Sequence, residues 1–343
     1  AIKQSRRITM LKKTLLLTSA LASVALISTA SFAELKVSAT QEWEFSSANL
    51  ASTSTNNKLL GSQTDLNLSG GGDLGGGNSY TTSYAFSNAA HDTIQANLKM
   101  GGVDIELGQN GSIGIEDVKA IVPFVNNRAN DVGGTATISY DVNDLSSGKS
   151  YIGANFAAGS AGAISVGYNP NMGNGKTTGT DAGIAGGTLS TGSAFTASFK
   201  GSLGVDGLTV GVGVLEGSNA NSVNDDVASL TYGVAYNFGS ISVGAQHIEN
   251  TADAAKTATS ETIVDNYGVA FAASDSISLG LYRSDSKKEV EGVAGNKMES
   301  TILQIGYKLG AAKVSYDYVS SDNCAHSATN DVTLHKVKLM MAF

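Results

Sequence analysis

The sequence of 343 residues contains one cysteine and two prolines, and no long apolar run follows residue 33. Because Cys324 is the only cysteine, an intramolecular disulfide is excluded. Proline removes a backbone donor and is kept out of central strands, so its near absence fits a chain that is mostly sheet. A membrane-spanning helix needs about 18 apolar residues in a row. A mature chain that spans a membrane without one must therefore form a closed barrel.

Basic residues are scarce once the amino end is set aside. From Met10 on, two lysines precede an apolar stretch at 14–30 and a small-x-small site at 31–33, a pattern typical of a secretory signal peptide. We predict that residues 1–33 are upstream residues plus a cleaved signal peptide and that residues 34–343 form a single domain. Without the five basic side chains of residues 1–33, the chain keeps 17 of 22 basic residues against 30 acidic ones, a net charge of −13. This acidic balance argues against a nucleic-acid partner.

Motifs for catalysis and metal binding are also missing from the sequence. None of the four histidines lies at a zinc-motif spacing, and no GxSxG nucleophile motif occurs. The glycine runs at 70–77 lack the GxxxxGK[ST] form of a phosphate-binding loop. The sequence therefore predicts no enzymatic activity, no cofactor and no metal site.

What the chain has is alternation with period two. The first mature segment, Leu35 to Phe45, and the last, Val332 to Phe343, each have one apolar and one largely polar face. The polar face of the first holds Lys36, Glu42 and Glu44, which cannot be packed in a core without partners. Lipid on one side and water on the other explains both faces.

A unit of strand, short turn and strand, followed by a longer polar loop, repeats seven times. The copies are Leu66 to Phe86, Ile94 to Leu107, Tyr151 to Tyr168, Ala194 to Val214, Leu230 to His247, Tyr267 to Tyr282 and Leu303 to Tyr318. With the first and last strands the count is sixteen, an even number as single-chain bacterial barrels require. Barrels of this size enclose an aqueous channel. The sequence predicts an all-β, transmembrane, antiparallel β-barrel.

One segment does not fit this count. Thr135 to Val142 also has the pattern of a strand. Either it belongs to the long loop before it, or it is a wall strand and Ile164 to Tyr168 lies within a loop. Periodicity leaves both alternatives, and with them a count of sixteen or eighteen strands, open.

The loop from Gln109 to Gly134 differs in composition from the other long loops, which are rich in Ser, Thr, Asn, Gly and Asp. It mixes apolar residues such as Ile115, Ile121 and Phe124 with charged ones. A surface loop this apolar is expected to pack against something. In a wide barrel, that surface can be the inner wall.

The mature chain resembles the general diffusion porins of Gram-negative outer membranes in its length, its strand pattern, its terminal Phe343 and this loop after the fifth strand. The resemblance implies a homotrimer of sixteen-strand barrels in outer-membrane lipid, with the third long loop folded into the lumen. It implies passive diffusion of small hydrophilic solutes and ions. It also favours Thr135 to Val142 as a wall strand, because Val132 to Gly148 looks like the return of the porin chain to the wall.

The resemblance further implies a constriction in which loop acids face basic wall residues. The loop candidates are Glu116, Asp117, Asp131 and Arg128, and the wall candidates are Lys336, Lys338, Lys36 and Lys99. The dense arginine ladder of the best-known porins is missing. Opposed charges in a throat of low dielectric would favour hydrated solutes.

Two functions follow as alternatives. The first is a channel, with a preference for cations suggested by the charge of −13. The second is a structural or adhesive barrel with the same wall and a blocked lumen.

Overall fold

In a computed structural model the chain forms one closed antiparallel sheet. The structure describes residues 35–50, 55–88, 90–128, 139–143, 150–170, 192–219, 225–254 and 258–343; the predicted signal peptide and Asp131 lie outside these ranges. The strands are β1 Lys36–Leu50, β2 Thr55–Gly75, β3 Asn78–Ser87, β4 Ala90–Met100, β5 Val103–Gln109, β6 Ser150–Ala157, β7 Ala163–Asn169, β8 Ser193–Gly201, β9 Leu208–Asn219, β10 Asp225–Asn237, β11 Ile241–Ala254, β12 Ala258–Ala272, β13 Ile277–Val290, β14 Val293–Ala294, β15 Met298–Leu309, β16 Ala312–Asp322 and β17 Val332–Ala342.

Sixteen of these strands form the wall, since the two-residue β14 is an extension beside β13, and β13 pairs directly with β15. β1 pairs with β2 on one side and with β17 on the other, which closes the barrel. Every predicted hairpin is present, and the predicted sixteen-strand antiparallel barrel is confirmed.

The two faces of the wall differ as the alternation predicts. On β10, Tyr232 and Val234 are exposed, whereas Ser229 and Thr231 are buried. In a closed sheet the buried face is the inner one, so the polar and small residues line the interior. Each long wall strand from β10 to β17 has at least one exposed Leu, Ile, Val, Phe or Tyr.

The resemblance to porins favoured Thr135 to Val142 as a wall strand. The structure describes residues 139–142 of this segment, and there the prediction is wrong, because these residues form no strand. Ile164 to Tyr168 lies in β7. Residues 139–142 bond to side chains of the wall and make no β-ladder. Ser139 Oγ lies 2.8 Å from Ser284 Oγ, and the carbonyl of Asp141 accepts a hydrogen bond from Asn250 at 2.6 Å.

Helical structure is limited, in the described ranges, to the three short 3₁₀ turns Gly114–Val118, Gly159–Ala161 and Cys324–His326. No helix among the described residues is long and apolar enough to cross a membrane.

Candidate functional site

The segment from Gly111 to Arg128, here called the inner loop, leaves β5 and lies against the polar face of the wall. Gly114, at φ +64°, begins the 3₁₀ turn, and a Cβ there would collide with Thr196. Thr196 Oγ1 accepts from the backbone N–H of Ile115 at 2.8 Å, and Ser165 Oγ accepts from that of Gly114 at 2.9 Å. The turn is therefore fixed on β7 and β8.

Two glutamines hold the middle and the end of the inner loop. Gln246 on β11 donates to the carbonyl of Val118 at 2.8 Å and accepts from the N–H of Ile121 at 3.3 Å. Gln304 on β15 accepts from the N–H of Val125 at 2.9 Å and donates to a loop carbonyl two residues on at 2.7 Å. Each amide thus satisfies one backbone donor and one acceptor that the irregular loop would otherwise leave unpaired.

The apolar side chains of the inner loop occupy places where the wall has glycine. Ile113, Ile115, Val118, Ile121 and Val122 are at most 5% exposed. The facing glycines are Gly153, Gly211, Gly213, Gly233, Gly244, Gly268, Gly280 and Gly306, on β6, on each strand from β9 to β13 and on β15. We call this set the glycine track.

Close approach explains the glycine track. A Cβ on Gly153 would lie 2.6 Å from Ile113 Cγ1, and one on Gly211 would lie 2.6 Å from Ile121 Cδ1. Ordinary carbon contacts are about 3.5–4.0 Å. The absent Cβ atoms therefore let the inner loop lie flush with seven of the sixteen wall strands.

The predicted loop acids lie in the 3₁₀ turn. Glu116 is 7% exposed and its carboxylate is 3.6 Å from Lys119 Nζ. Asp117 is partly buried, and its carbonyl accepts from Lys200 Nζ on β8 at 3.0 Å. Burial raises the pKa of the Asp117 carboxyl, although a hydrogen bond with Ser165 and the charge of Lys200 oppose the shift. The structure thus places both acids beside lysines that the sequence did not single out.

Lys336 and Lys338 lie on the inner face of β17, as predicted. Their carboxylate partners are on β1: Lys336 Nζ is 2.8 Å from Glu44 Oε2, and Lys338 Nζ is 2.7 Å from Glu42 Oε1. Lys336 is only 5% exposed. The two pairs bridge the strands that close the barrel, so these lysines contact wall acids and not Glu116 or Asp117.

The other predicted residues that the structure describes take different positions. Arg128 pairs with Asp141 at 2.6 Å. Lys36 and Lys99 are exposed, and both lie at strand ends near the short turns of the wall. The described part of the site is thus built from the inner loop and strands β6 to β16, without the lysines of β1 and β4.

Alternation along β16 could have indicated two further anchors. Asp317, fully buried, accepts from Asn126 Nδ2 at 2.9 Å and from Asn127 Nδ2 at 3.2 Å. Lys313 donates to the carbonyl of Val125 at 3.0 Å. Both side chains lie on the inner face, as the alternation along β16 predicts. Their partners in the inner loop depend on the path of that loop, which the sequence does not show.

A second contact layer lies toward the long loops. The ring of His326, in the loop between β16 and β17, stacks on Tyr140 with centroids 5.3 Å apart. Its Nδ1 is 2.8 Å from the carbonyl oxygen of Asn296, and its Nε2 is 3.2 Å from Ser286 Oγ. Burial lowers the pKa of His326, the bond to Asn296 opposes this, and the charge of Lys288 adds to the lowering.

No family model matches the sequence, and no curated protein matches it. Solved structures match it in fold. The anion-selective porin from Comamonas acidovorans has a TM-score of 0.70 at 13% identity, with 91% of this chain and 100% of that chain covered. OmpF of Salmonella typhi gives 0.69 at 11% identity (91% and 98% covered), and OmpT of Vibrio cholerae gives 0.65 at 12% (92% and 99% covered). At these identities the likeness is one of fold, and the chain has the fold of the sixteen-strand porins.

Proposed function

We propose that the protein is an outer-membrane channel of a Gram-negative bacterium that passes small hydrophilic solutes and ions by passive diffusion. The observation that carries this proposal is the position of the inner loop. Its apolar residues are seated in the glycine track, so it follows the wall instead of crossing the barrel. Sixteen strands give a barrel wide enough for water, and a loop held against the wall narrows the opening without closing it.

Lipid is the partner that the outer face fits. The exposed apolar side chains on the wall strands would cost free energy in water but suit the hydrocarbon of a membrane. One similar structure is a trimer form of OmpT from Vibrio cholerae. A homotrimer in the outer membrane is therefore part of the proposal.

Ion preference depends on the charges near the opening more than on the total. Residues 34–343 carry a net charge of −13, which draws cations to the mouths of the channel. Inside, however, Glu42 and Glu44 are each neutralised by a lysine, and Lys119 and Lys200 stand beside the loop acids. The similar porin from Comamonas acidovorans is anion-selective. We propose that the cation preference expected from the net charge is weak.

Planar-bilayer recording of the refolded mature chain tests the channel, and liposome swelling with small sugars tests passage of uncharged solutes. We expect stepwise conductance and swelling with both pentoses and hexoses. In a KCl gradient the reversal potential should correspond to a permeability ratio near one. Absence of both conductance and swelling in vesicles that contain folded barrel would instead support the plugged, structural alternative.

A further inference from the structure

Phe124 stands apart from the other large apolar side chains of the inner loop. Its side chain is 39% exposed, whereas Ile113, Ile115, Val118, Ile121 and Val122 are at most 5% exposed. A phenyl ring left in contact with water is the exception in a loop whose other apolar groups are seated in the wall.

The neighbours of Phe124 fix its direction. Before it, Pro123 fills the space over Gly244, where a Cβ would lie 2.7 Å from Pro123 Cδ. After it, Val125 packs over Gly280 and Gly306, with its N–H bonded to Gln304 and its carbonyl bonded to Lys313. Both flanking residues pack against the wall, whereas Phe124 keeps 39% of its surface exposed, which points to a ring turned toward the water of the lumen.

The backbone that carries the ring cannot withdraw without breaking these anchors. A shift of the backbone at Phe124 would separate the N–H of Val125 from its acceptor Gln304 on β15 and the carbonyl of Val125 from its donor Lys313 on β16. Asn126, two residues on, is bonded to Asp317 of β16, which fixes the loop on the other side of the ring. An exposed apolar ring is thus held between anchored residues.

We infer that Phe124 is a specificity-determining residue that contacts permeating solutes, and that the channel favours small hydrophilic solutes which also carry an apolar portion. This inference rests on the proposed channel function. A zwitterionic or hydroxylated solute can keep its polar groups hydrated while one or two of its methylene groups cover the ring. Burial of a single methylene corresponds to about fourfold in a partition constant. At low solute concentration, the flux through the channel is proportional to this partition constant.

The test compares methionine with glutamine, two zwitterions of nearly equal length whose side chains differ in polarity. Swelling rates are measured for liposomes that contain the refolded mature chain, and the methionine-to-glutamine ratio is the readout. Phe124→Ser should lower the ratio by about two- to fourfold, and Phe124→Leu should retain most of it. Phe156→Ser is the matched control, because Phe156 is equally exposed at 39% but lies on the outer face of β6, and it should leave the ratio unchanged.

The outcomes separate the two proposals. If Phe124→Ser raises both rates in the same proportion, the ring is a steric filler and the inference is wrong, while the channel stands. If wild-type liposomes swell with neither amino acid nor with small sugars, the channel itself is refuted. A heat-modifiable band on a gel confirms that every variant compared has folded as a barrel.

Discussion

Replacement of Gly213 by alanine tests whether the glycine track positions the inner loop. Gly213 lies on the inner face of β9, and a Cβ there would lie 2.7 Å from Val118 Cγ2 and 3.0 Å from Ile115 Cα. Because ordinary carbon contacts begin at about 3.5 Å, Val118 must retreat by about 1 Å. Both loop residues are fully buried, and one of the two contacts is to backbone. The loop cannot adapt by turning one side chain and must move toward the axis.

We expect this displacement to narrow the channel. Overpacking of this kind costs about 1–3 kcal/mol, a range that can weaken the anchoring of the loop without unfolding the wall. Gly213→Ala should therefore show a lower single-channel conductance than wild type and should close at a lower applied voltage. Planar-bilayer recording measures both quantities, and Gly213→Val should enlarge both effects.

Gly61→Ala is the matched control. Gly61 lies on the inner face of β2, paired with Glu44, and no atom lies within 4 Å of a Cβ at this position. The same substitution there changes strand propensity but meets no loop, so conductance and closing voltage should equal those of wild type. If Gly213→Ala and Gly61→Ala behave alike, the glycine track does not position the inner loop and the reasoning fails.

Three further substitutions probe other contacts. Gln304→Leu removes the side-chain amide that bonds the N–H of Val125 and the carbonyl of Asn127 at the end of the inner loop, so single-channel traces should become noisier. Gln63→Leu, at an inner-face glutamine on β2, should leave the noise of the traces unchanged. Lys336→Gln leaves Glu44 without its lysine partner and should destabilise the barrel by about 1–3 kcal/mol in urea titrations on lipid vesicles, less than for a fully buried pair because Glu44 is 24% exposed. Recovery in the double variant with Glu44→Gln is expected, and no recovery would argue against the pair. Burial lowers the pKa of His326, so the unfolded loop binds a proton before the folded loop does as the pH falls below about 6.5. The loop at 323–331 should therefore lose up to about 1.4 kcal/mol of stability per pH unit. Hydrogen exchange in this loop should be faster at pH 5.5 in the wild type than in the variant His326→Gln.

The wall of the barrel was predictable because its physical cause is local. Lipid outside and polar groups inside impose period two on each strand, and short turns join strands that are adjacent in the sequence. Tyr232 and Thr231 therefore fall on the faces that the alternation assigns. The same hairpin count identified Ile164 to Tyr168 as wall, correctly, where likeness to porins pointed to Thr135 to Val142.

The partners of the charged residues were not predictable, since they depend on how strands far apart in the sequence align. Alternation placed Lys336 and Glu44 on the inner face, but only the pairing of β17 with β1 brings them within 2.8 Å. The glycines of the wall are present in the sequence, but nothing there shows that a loop covers them. Their contact with the inner loop follows from the path of Gly111 to Arg128, for which no periodicity exists.

The two ion pairs between β1 and β17 have a consequence for assembly. The last strand must find one alignment against the first, and apolar side chains on the outer face discriminate poorly between alignments. A shift of the strand register by one residue would move the side chains of Lys336 and Lys338 to the lipid-facing side of the wall. In the observed register Lys338 lies opposite Glu44 and Lys336 opposite Ser46, and each lysine reaches the carboxylate two residues nearer the start of β1. Because a shift by one residue removes both lysines from the carboxylates of β1, the two ion pairs help to select which face of β17 turns inward as the barrel closes.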